Sequence, residues 1–121
     1  MPSLSQLIIP ALLSLPAHVS GANLLASHYT GKIYSLAFNN STLTITSSTS
    51  AGTFPAWLGL ESGAGAKTVY SVDESWYGSG VLASFTVGTN GTLTQTGKQT
   101  SSGASVHGSP YAGSKFLATV E

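Results

Sequence analysis

The sequence predicts an all-β fold, because strand-like runs follow one another with turn residues between them and few residues carry charge. Its 121 residues include 14 Gly and 5 Pro, and 7% are charged. This composition disfavours helices, whereas short runs of alternating apolar and polar residues are typical of strands. We predict strands at residues 23–27, 32–38, 42–47, 56–60, 68–72, 80–87, 92–99 and 115–120.

Two parts of this strand pattern repeat at a spacing of about 50 residues. Residues 33–38, a turn and Leu43 can be aligned with residues 82–87, a turn and Leu93. In an all-β chain this period is typical of the four-stranded blades of a β-propeller. We therefore predict a partial β-propeller of about two four-stranded antiparallel blades. A small β-sandwich, whose hairpins only resemble one another, is the alternative fold.

The predicted strands can be assigned to blades, each running from an innermost strand a to an outermost strand d. Residues 56–60, 68–72, 80–87 and 92–99 supply strands a, b, c and d of one blade. The unit before it contains strands b, c and d, and its strand a is expected from elsewhere in the chain. The unit after it starts near Val106 and continues to its strand b. A closed propeller needs at least about four blades.

Alternation within strand c predicts the side chains that pack between blades. We expect both equivalent faces to be buried. If only two blades are present, two large apolar faces stay open, including the Tyr34, Leu36 and Phe38 face or its partner, and self-association is expected. The two predicted faces are Val81, Ala83, Phe85 and Val87 in one blade and Tyr34, Leu36 and Phe38 in the other.

The N-terminal residues predict a secretory signal peptide. An apolar run at residues 7–15 is followed by Pro16 and by the small residues Ser20 and Ala22, although no Lys or Arg precedes it. We expect cleavage after Ala22, so that residues 1–22 are the signal and residues 23–121 the propeller blades. An N-terminal buried strand or a membrane anchor is the alternative, but the apolar run is too short to span a bilayer. The protein is therefore expected to be extracellular.

Charge and cysteine content narrow the possible partners. The chain has a net charge of zero, contains no Cys, and its cations are four Lys without any Arg. Nucleic acid and anionic membranes are therefore not expected as partners. Three N-glycosylation acceptors fit the secretory route, at Asn39, Asn40 and Asn90. All three lie in predicted c–d turns, which alternate with the other loops and so share one rim of the propeller.

The b–c and d–a loops share the opposite rim, where we predict the chemistry. We predict His107 and Glu74 as a catalytic acid–base pair, since imidazole and carboxylate groups exchange protons near neutral pH. We predict Trp76, Tyr77 and His28 as substrate-binding residues, with the indole stacking on a ring. The residues collected on this rim are His28, Tyr29, Asp73, Glu74, Trp76, Tyr77 and His107.

Each of these assignments has a structural alternative. His107 can instead bind a loop carbonyl, and Glu74 can instead anchor a loop at the end of its strand. Trp57, next to Pro55 in an innermost strand, is predicted to lie in the core. No metal site or cofactor is expected, because the chain lacks Cys and paired His at ligand spacing.

Five segments share the motifs of a known family: Phe54-Pro55-Ala56-Trp57-Leu58, Val69-Tyr70-Ser71-Val72-Asp73-Glu74, Gly80-Val81-Leu82-Ala83-Ser84-Phe85, Gly91-Thr92-Leu93-Thr94 and Val106-His107-Gly108. The first four resemble one blade of the seven-bladed lactonase family, and the fifth resembles the start of the next blade. This family includes 6-phosphogluconolactonases and 3-carboxy-cis,cis-muconate lactonizing enzymes, and the resemblance extends over residues 23–121.

This resemblance implies hydrolysis of a lactone or cyclisation to one, with a small lactone or sugar acid as the ligand and with His, Glu and Arg side chains at the channel mouth. His107 and Glu74 match by position, but the chain has no Arg to match. We therefore expect the isolated chain to be inactive. The alternative function is a non-catalytic secreted glycoprotein that uses the propeller surface for binding.

Overall fold

The structure, a computed structural model, describes residues 21–62, 67–113 and 116–120. Within these ranges all regular structure is β-strand, which confirms the predicted all-β class. No helix long and apolar enough to cross a bilayer occurs among these residues. The signal-peptide prediction lies outside the described residues up to residue 20, and Ala22 begins the first strand.

Nine strands occur in the described ranges and form three antiparallel sheets, each with its strands in sequence order. Such consecutive meanders are expected of successive propeller blades. The first sheet contains β1 (Ala22–His28), β2 (Lys32–Asn39) and β3 (Thr42–Ser50); the second contains β4 (Pro55–Ser62), β5 (Lys67–Asp73), β6 (Val81–Val87) and β7 (Leu93–Thr100); the third contains β8 (His107–Tyr111) and β9 (Phe116–Val120).

The first two sheets repeat one another down to a β-bulge in the outermost strand. Between β2 and β3 the register shifts after Ser35, which leaves Thr46 unpaired. Between β6 and β7 it shifts after Ser84, which leaves Thr96 unpaired. A bulge increases the local twist of a strand pair, and its recurrence after about 50 residues supports a repeated blade.

The core lies between the first two sheets, and it decides which of the predicted faces is buried and which stays open. Phe85 and Ala83 of the second sheet are buried as predicted, and they pack in one cluster with Ile33 of the first sheet. The predicted face of Tyr34, Leu36 and Phe38 is not buried, since Phe38 is 41% exposed. Ile33 points to the other side of β2.

The reason for this difference is the order of the sheets. The Phe85 face of the second sheet packs against the sheet that precedes it in the chain. The equivalent face of the first sheet, which carries Leu36 and Phe38, has no preceding sheet among the described residues. A buried hydrogen bond of 2.7 Å from Ser35 Oγ to the Gly91 carbonyl also joins the first two sheets.

Strand β1 lies at the inner edge of the first sheet and faces β4 across a groove of about 720 Å³. The groove is lined mainly by apolar side chains, among them Leu24, Leu58 and Val69. It lies beside the edge where an innermost strand of the first blade was expected.

Strand β8 was not predicted, and His107 belongs to it instead of to a loop. Gly108 and Pro110 disfavour a strand in isolation. Packing explains why the strand forms: a Cβ on Gly108 would lie 3.1 Å from the Trp57 ring and 3.0 Å from Val72 Cγ2. The glycine therefore allows β8 to approach the second sheet closely.

Candidate functional site

The rim at the end of β5 is organised by the buried carboxylate of Asp73. Pairing of Pro55 with Asp73 brings the loop before β4 beside the loop after β5. The Asp73 side chain is 1% exposed and accepts hydrogen bonds from the backbone N–H groups of Thr53 (2.8 Å), Phe54 (2.7 Å) and Ser75 (3.2 Å). Asp73 was grouped with the candidate chemical residues, but its carboxylate serves as a loop anchor.

Two glycines allow this close arrangement of loops. A Cβ on Gly52 would overlap the Asp73 carboxylate, and Gly52 has a φ of +128°. Gly31 has a φ of +78°, and its carbonyl accepts a hydrogen bond of 2.9 Å from the Ala51 N–H. Positive φ values favour glycine, so the loops from both sheets meet without side-chain interference.

Three aromatic rings, which we call the rim aromatic cluster, lie above this anchor: Tyr29, Phe54 and Trp76. Phe54 and Trp76 are stacked, with ring centroids 5.7 Å apart and planes inclined by 27°. Tyr29 meets both rings edge-on, at 5.8 Å from Phe54 and 6.1 Å from Trp76. Aromatic pairs in these geometries contribute more stabilisation than the burial of their apolar area alone. Trp76 is nevertheless 58% exposed, so part of the cluster is open to solvent.

Glu74 adjoins the rim aromatic cluster through two hydrogen bonds. Its backbone N–H donates to the Phe54 carbonyl at 3.0 Å, and its Oε2 accepts a hydrogen bond of 3.2 Å from the Tyr29 phenol. The hydrogen bond and the negative charge of Glu74 raise the pKa of Tyr29 above its ordinary value of 10.0. Glu74 is half-buried, so its carboxylate stays accessible.

No described ring contact joins His28 or Tyr77 to this cluster, although each is adjacent in the chain to one of its members. His28 Nδ1 accepts a hydrogen bond of 3.2 Å from the Thr30 N–H, and its ring meets Tyr34 edge-on at 6.3 Å. Tyr77 is 89% exposed. Of the predicted substrate-binding residues, only Trp76 takes part in the described ring contacts of the cluster that adjoins Glu74.

His107 contacts the second sheet at Trp57. The two ring centroids are 5.2 Å apart, with planes inclined by 52°. Trp57 lies two residues into β4 and His107 is the first residue of β8, so both lie near the same rim as Glu74. Among the described contacts none joins His107 to Glu74, and the two predicted catalytic groups belong to neighbouring but separate clusters.

Sequence reasoning missed Phe54 as a member of the site. Its position in the d–a loop, immediately before strand a, could have indicated this, because the d–a loops and the b–c loops share one rim. No group of three or more potential metal ligands occurs within the described residues.

The glycosylation acceptors lie in exposed turns of the other rim. Asn40 and Ser41 have φ values of 47° and 64°, as the two-residue type I′ turn between β2 and β3 requires. Asn90 Oδ1 accepts a hydrogen bond of 2.8 Å from Thr92 Oγ1 in the turn before β7. Asn39, the last residue of β2, is also exposed.

Comparison with known proteins identifies the family. The family model described as "Lactonase, 7-bladed beta-propeller" matches residues 23–120. No curated protein and no solved structure gives a significant match. The matched range includes all three sheets, and it confirms both the family resemblance and the partial propeller predicted from the sequence. The chain belongs to the seven-bladed β-propeller lactonase family.

Proposed function

We propose that this chain is part of a secreted lactonase-like propeller that hydrolyses a small lactone to its acid or closes such an acid to the lactone. The observation that carries the proposal is the half-buried Glu74 carboxylate beside an exposed, stacked Trp76, in a chain of the lactonase family. Secretion is supported by the predicted signal peptide and by acceptor asparagines in exposed turns.

Substrate binding is assigned to the open part of the rim aromatic cluster. Phe54 holds Trp76 from one side at 5.7 Å, and the exposed indole is available to stack on the apolar face of a ring. The Glu74 carboxylate accepts hydrogen bonds from hydroxyl groups of the same ligand. A small ring with several hydroxyl groups satisfies both contacts.

The chemical step is assigned to proton transfer by Glu74 and His107. In hydrolysis, a base takes a proton from water as the water oxygen attacks the lactone carbonyl. The acyl–oxygen bond of the ring then breaks, and an acid donates a proton to the departing oxygen, which becomes a hydroxyl group. His107 is exposed on the innermost strand at this rim, as a proton carrier at the channel mouth must be.

The isolated chain is proposed to be inactive. It contains no Arg for bidentate binding of a carboxylate, so anion binding falls to Lys or to other parts of a complete propeller. The alternative function is a non-catalytic secreted glycoprotein that binds its ligand at this rim. It is favoured by one observation, because the Tyr29 phenol already donates a hydrogen bond to the Glu74 carboxylate and so occupies an acceptor position of the proposed base.

The test is an assay of the secreted full-length protein against a panel of lactones that includes glucono-1,5-lactone. We expect hydrolysis of at least one ring, and a Glu74→Gln variant that binds the ring but loses turnover. Glu61→Gln is the matched control, because it makes the same chemical change at the end of β4 that lies away from the rim of Glu74. Ring binding without turnover in the wild type supports the binding protein instead, and unchanged turnover in Glu74→Gln removes Glu74 from the mechanism.

A further inference from the structure

The Asp73 carboxylate joins two loops that carry the two stacked rings. Through Thr53 and Phe54 it holds the loop before β4, and through Ser75 it holds the loop after β5. Trp76 follows Ser75 directly. Asp73 therefore binds the N–H group of Phe54 itself and the N–H group of the residue before Trp76, and these two aromatic residues form the stacked pair.

The three converging N–H donors make this buried anchor suited to a carboxylate. Asp73 is 1% exposed, and a buried charge requires partners to replace water. Three backbone N–H groups provide them, with bonds of 2.7 Å to 3.2 Å. Charge-assisted bonds of this kind are stronger and more directional than bonds between neutral groups. They therefore limit how far the two loops move apart.

The same anchor sets the backbone from which the Glu74 side chain projects. Glu74 follows Asp73, and its own N–H donates to the Phe54 carbonyl at 3.0 Å. Phe54 is therefore bound by its N–H to Asp73 and by its carbonyl to Glu74. Any movement of this loop shifts the carboxylate of Glu74 relative to the Trp76 ring.

We propose that Asp73 is a positioning residue, whose carboxylate fixes the spacing of Phe54 and Trp76 and the orientation of Glu74 beside them. Its effect on the rings is independent of any activity, and its effect on turnover rests on the proposed function. It does not contact the substrate.

The test compares Asp73→Asn with the wild type in the full-length protein. The amide keeps one acceptor oxygen and turns an NH2 group toward at least one backbone N–H, so at least one of the three bonds is lost. We expect Trp76 to become more accessible to acrylamide, measured as the difference between each protein and the same protein carrying Trp76→Phe. With glucono-1,5-lactone as the probe, we expect kcat to fall by about 10- to 100-fold, as misplacement of a catalytic group predicts.

Val69→Ala is the matched control, because Val69 is a fully buried residue of the same strand that touches the core and not the rim loops. We expect it to lower the melting temperature without changing the quenching of Trp76. Asp73→Asn overturns the proposal if it lowers the melting temperature and leaves Trp76 quenching as in the wild type. If Asp73→Asn changes the quenching of Trp76 but leaves kcat unchanged, Asp73 positions the rings, and the rings have no part in catalysis.

If Asp73→Asn does not fold, amide hydrogen exchange of the wild type tests whether Asp73 anchors the loop before β4. Exchange of the Thr53 and Phe54 amides as slow as that of β5 supports the anchor. Exchange as fast as in the exposed turn at residues 77–79 overturns it.

Discussion

The phenol of Tyr29 donates a hydrogen bond of 3.2 Å to Oε2 of Glu74, although the two residues follow strands of different sheets. Tyr29 comes directly after β1, and Glu74 comes directly after β5. The contact joins the first and second blades at the rim where the candidate site lies. It also links the titration of Tyr29 to the charge of Glu74.

We expect Tyr29 to ionise at a higher pH in the wild type than in Glu74→Gln. The hydrogen bond to Glu74 and its negative charge raise the pKa of Tyr29, because both favour the protonated phenol. The folded protein then binds this proton more tightly than the unfolded chain does. The contribution to stability is therefore present below pH 10 and is lost as the pH rises through the raised pKa.

Absorbance of the phenolate during an alkaline titration measures this shift, and Tyr29→Phe identifies the signal of Tyr29. Identical ionisation of Tyr29 in the wild type and in Glu74→Gln would show that the contact does not form in solution.

We expect His107→Ala to lower turnover of the full-length protein by about two to four orders of magnitude, the usual contribution of a positioned acid or base. The melting temperature should change little, because His107 is exposed. Ser109→Ala, two residues further along β8 and also exposed, is the control. Full activity of His107→Ala on the same lactone removes this residue from the site.

We expect Asn90 and at least one of Asn39 and Asn40 to carry glycan when the protein passes through the secretory pathway. These asparagines are exposed and lie in or beside the turns between the two outer strands of each blade. Glycosidase treatment should increase the gel mobility of the wild type, and the shift should be smaller for Asn90→Gln. The prediction is contradicted by a mobility that glycosidase does not change.

We expect the secreted chain to begin at Asn23. The apolar run at residues 7–15 and the small residues Ser20 and Ala22 are typical of a signal and its cleavage site. N-terminal sequencing of the secreted protein measures this directly. Recovery of Met1 from the medium would show that the segment is retained.

We expect this chain alone to self-associate, because one face of the first sheet, which carries Leu36 and Phe38, is apolar and not covered by any other described residues. Leu24, Phe38, Leu43 and Ile45 on this face are all more than two-fifths exposed. Contiguous apolar surface of this kind favours association, and β1 adds a strand edge that pairs with no other described strand. Gel filtration should give a broad or large species with weakly cooperative melting.

Replacing Leu43 and Ile45 together by Thr should reduce the association, since Thr keeps the β-propensity and lowers the apolar area. Tyr77→Ser, a change at an exposed residue outside this face, is the control. A sharp monomeric peak with a steep, reversible melt of the wild-type chain would refute the prediction.

Local pattern was sufficient for the repeat and for eight of the nine strands in the described residues. Alternation located β2 and β6, and the Asn90-Gly91 turn separated β6 from β7, because these signals depend on residues close in the chain. The period of about 50 residues then predicted blades, and the order of turns predicted which loops share a rim. Glu74 and Trp76 were assigned to the correct rim for this reason.

The sequence by itself determined the all-β class, the blade repeat and the rim that carries Glu74. Tertiary structure decided which face of the first sheet is buried, because alternation defines two faces of β2 but not the neighbour that covers Ile33. It also decided that β8 is a strand. Gly108 fits closely beside Trp57, and this packing outweighs the low strand propensity of Gly108 and Pro110. The anchor at Asp73 depends on N–H groups at Thr53 and Phe54, which lie far from it in the chain and meet it only when β4 pairs with β5.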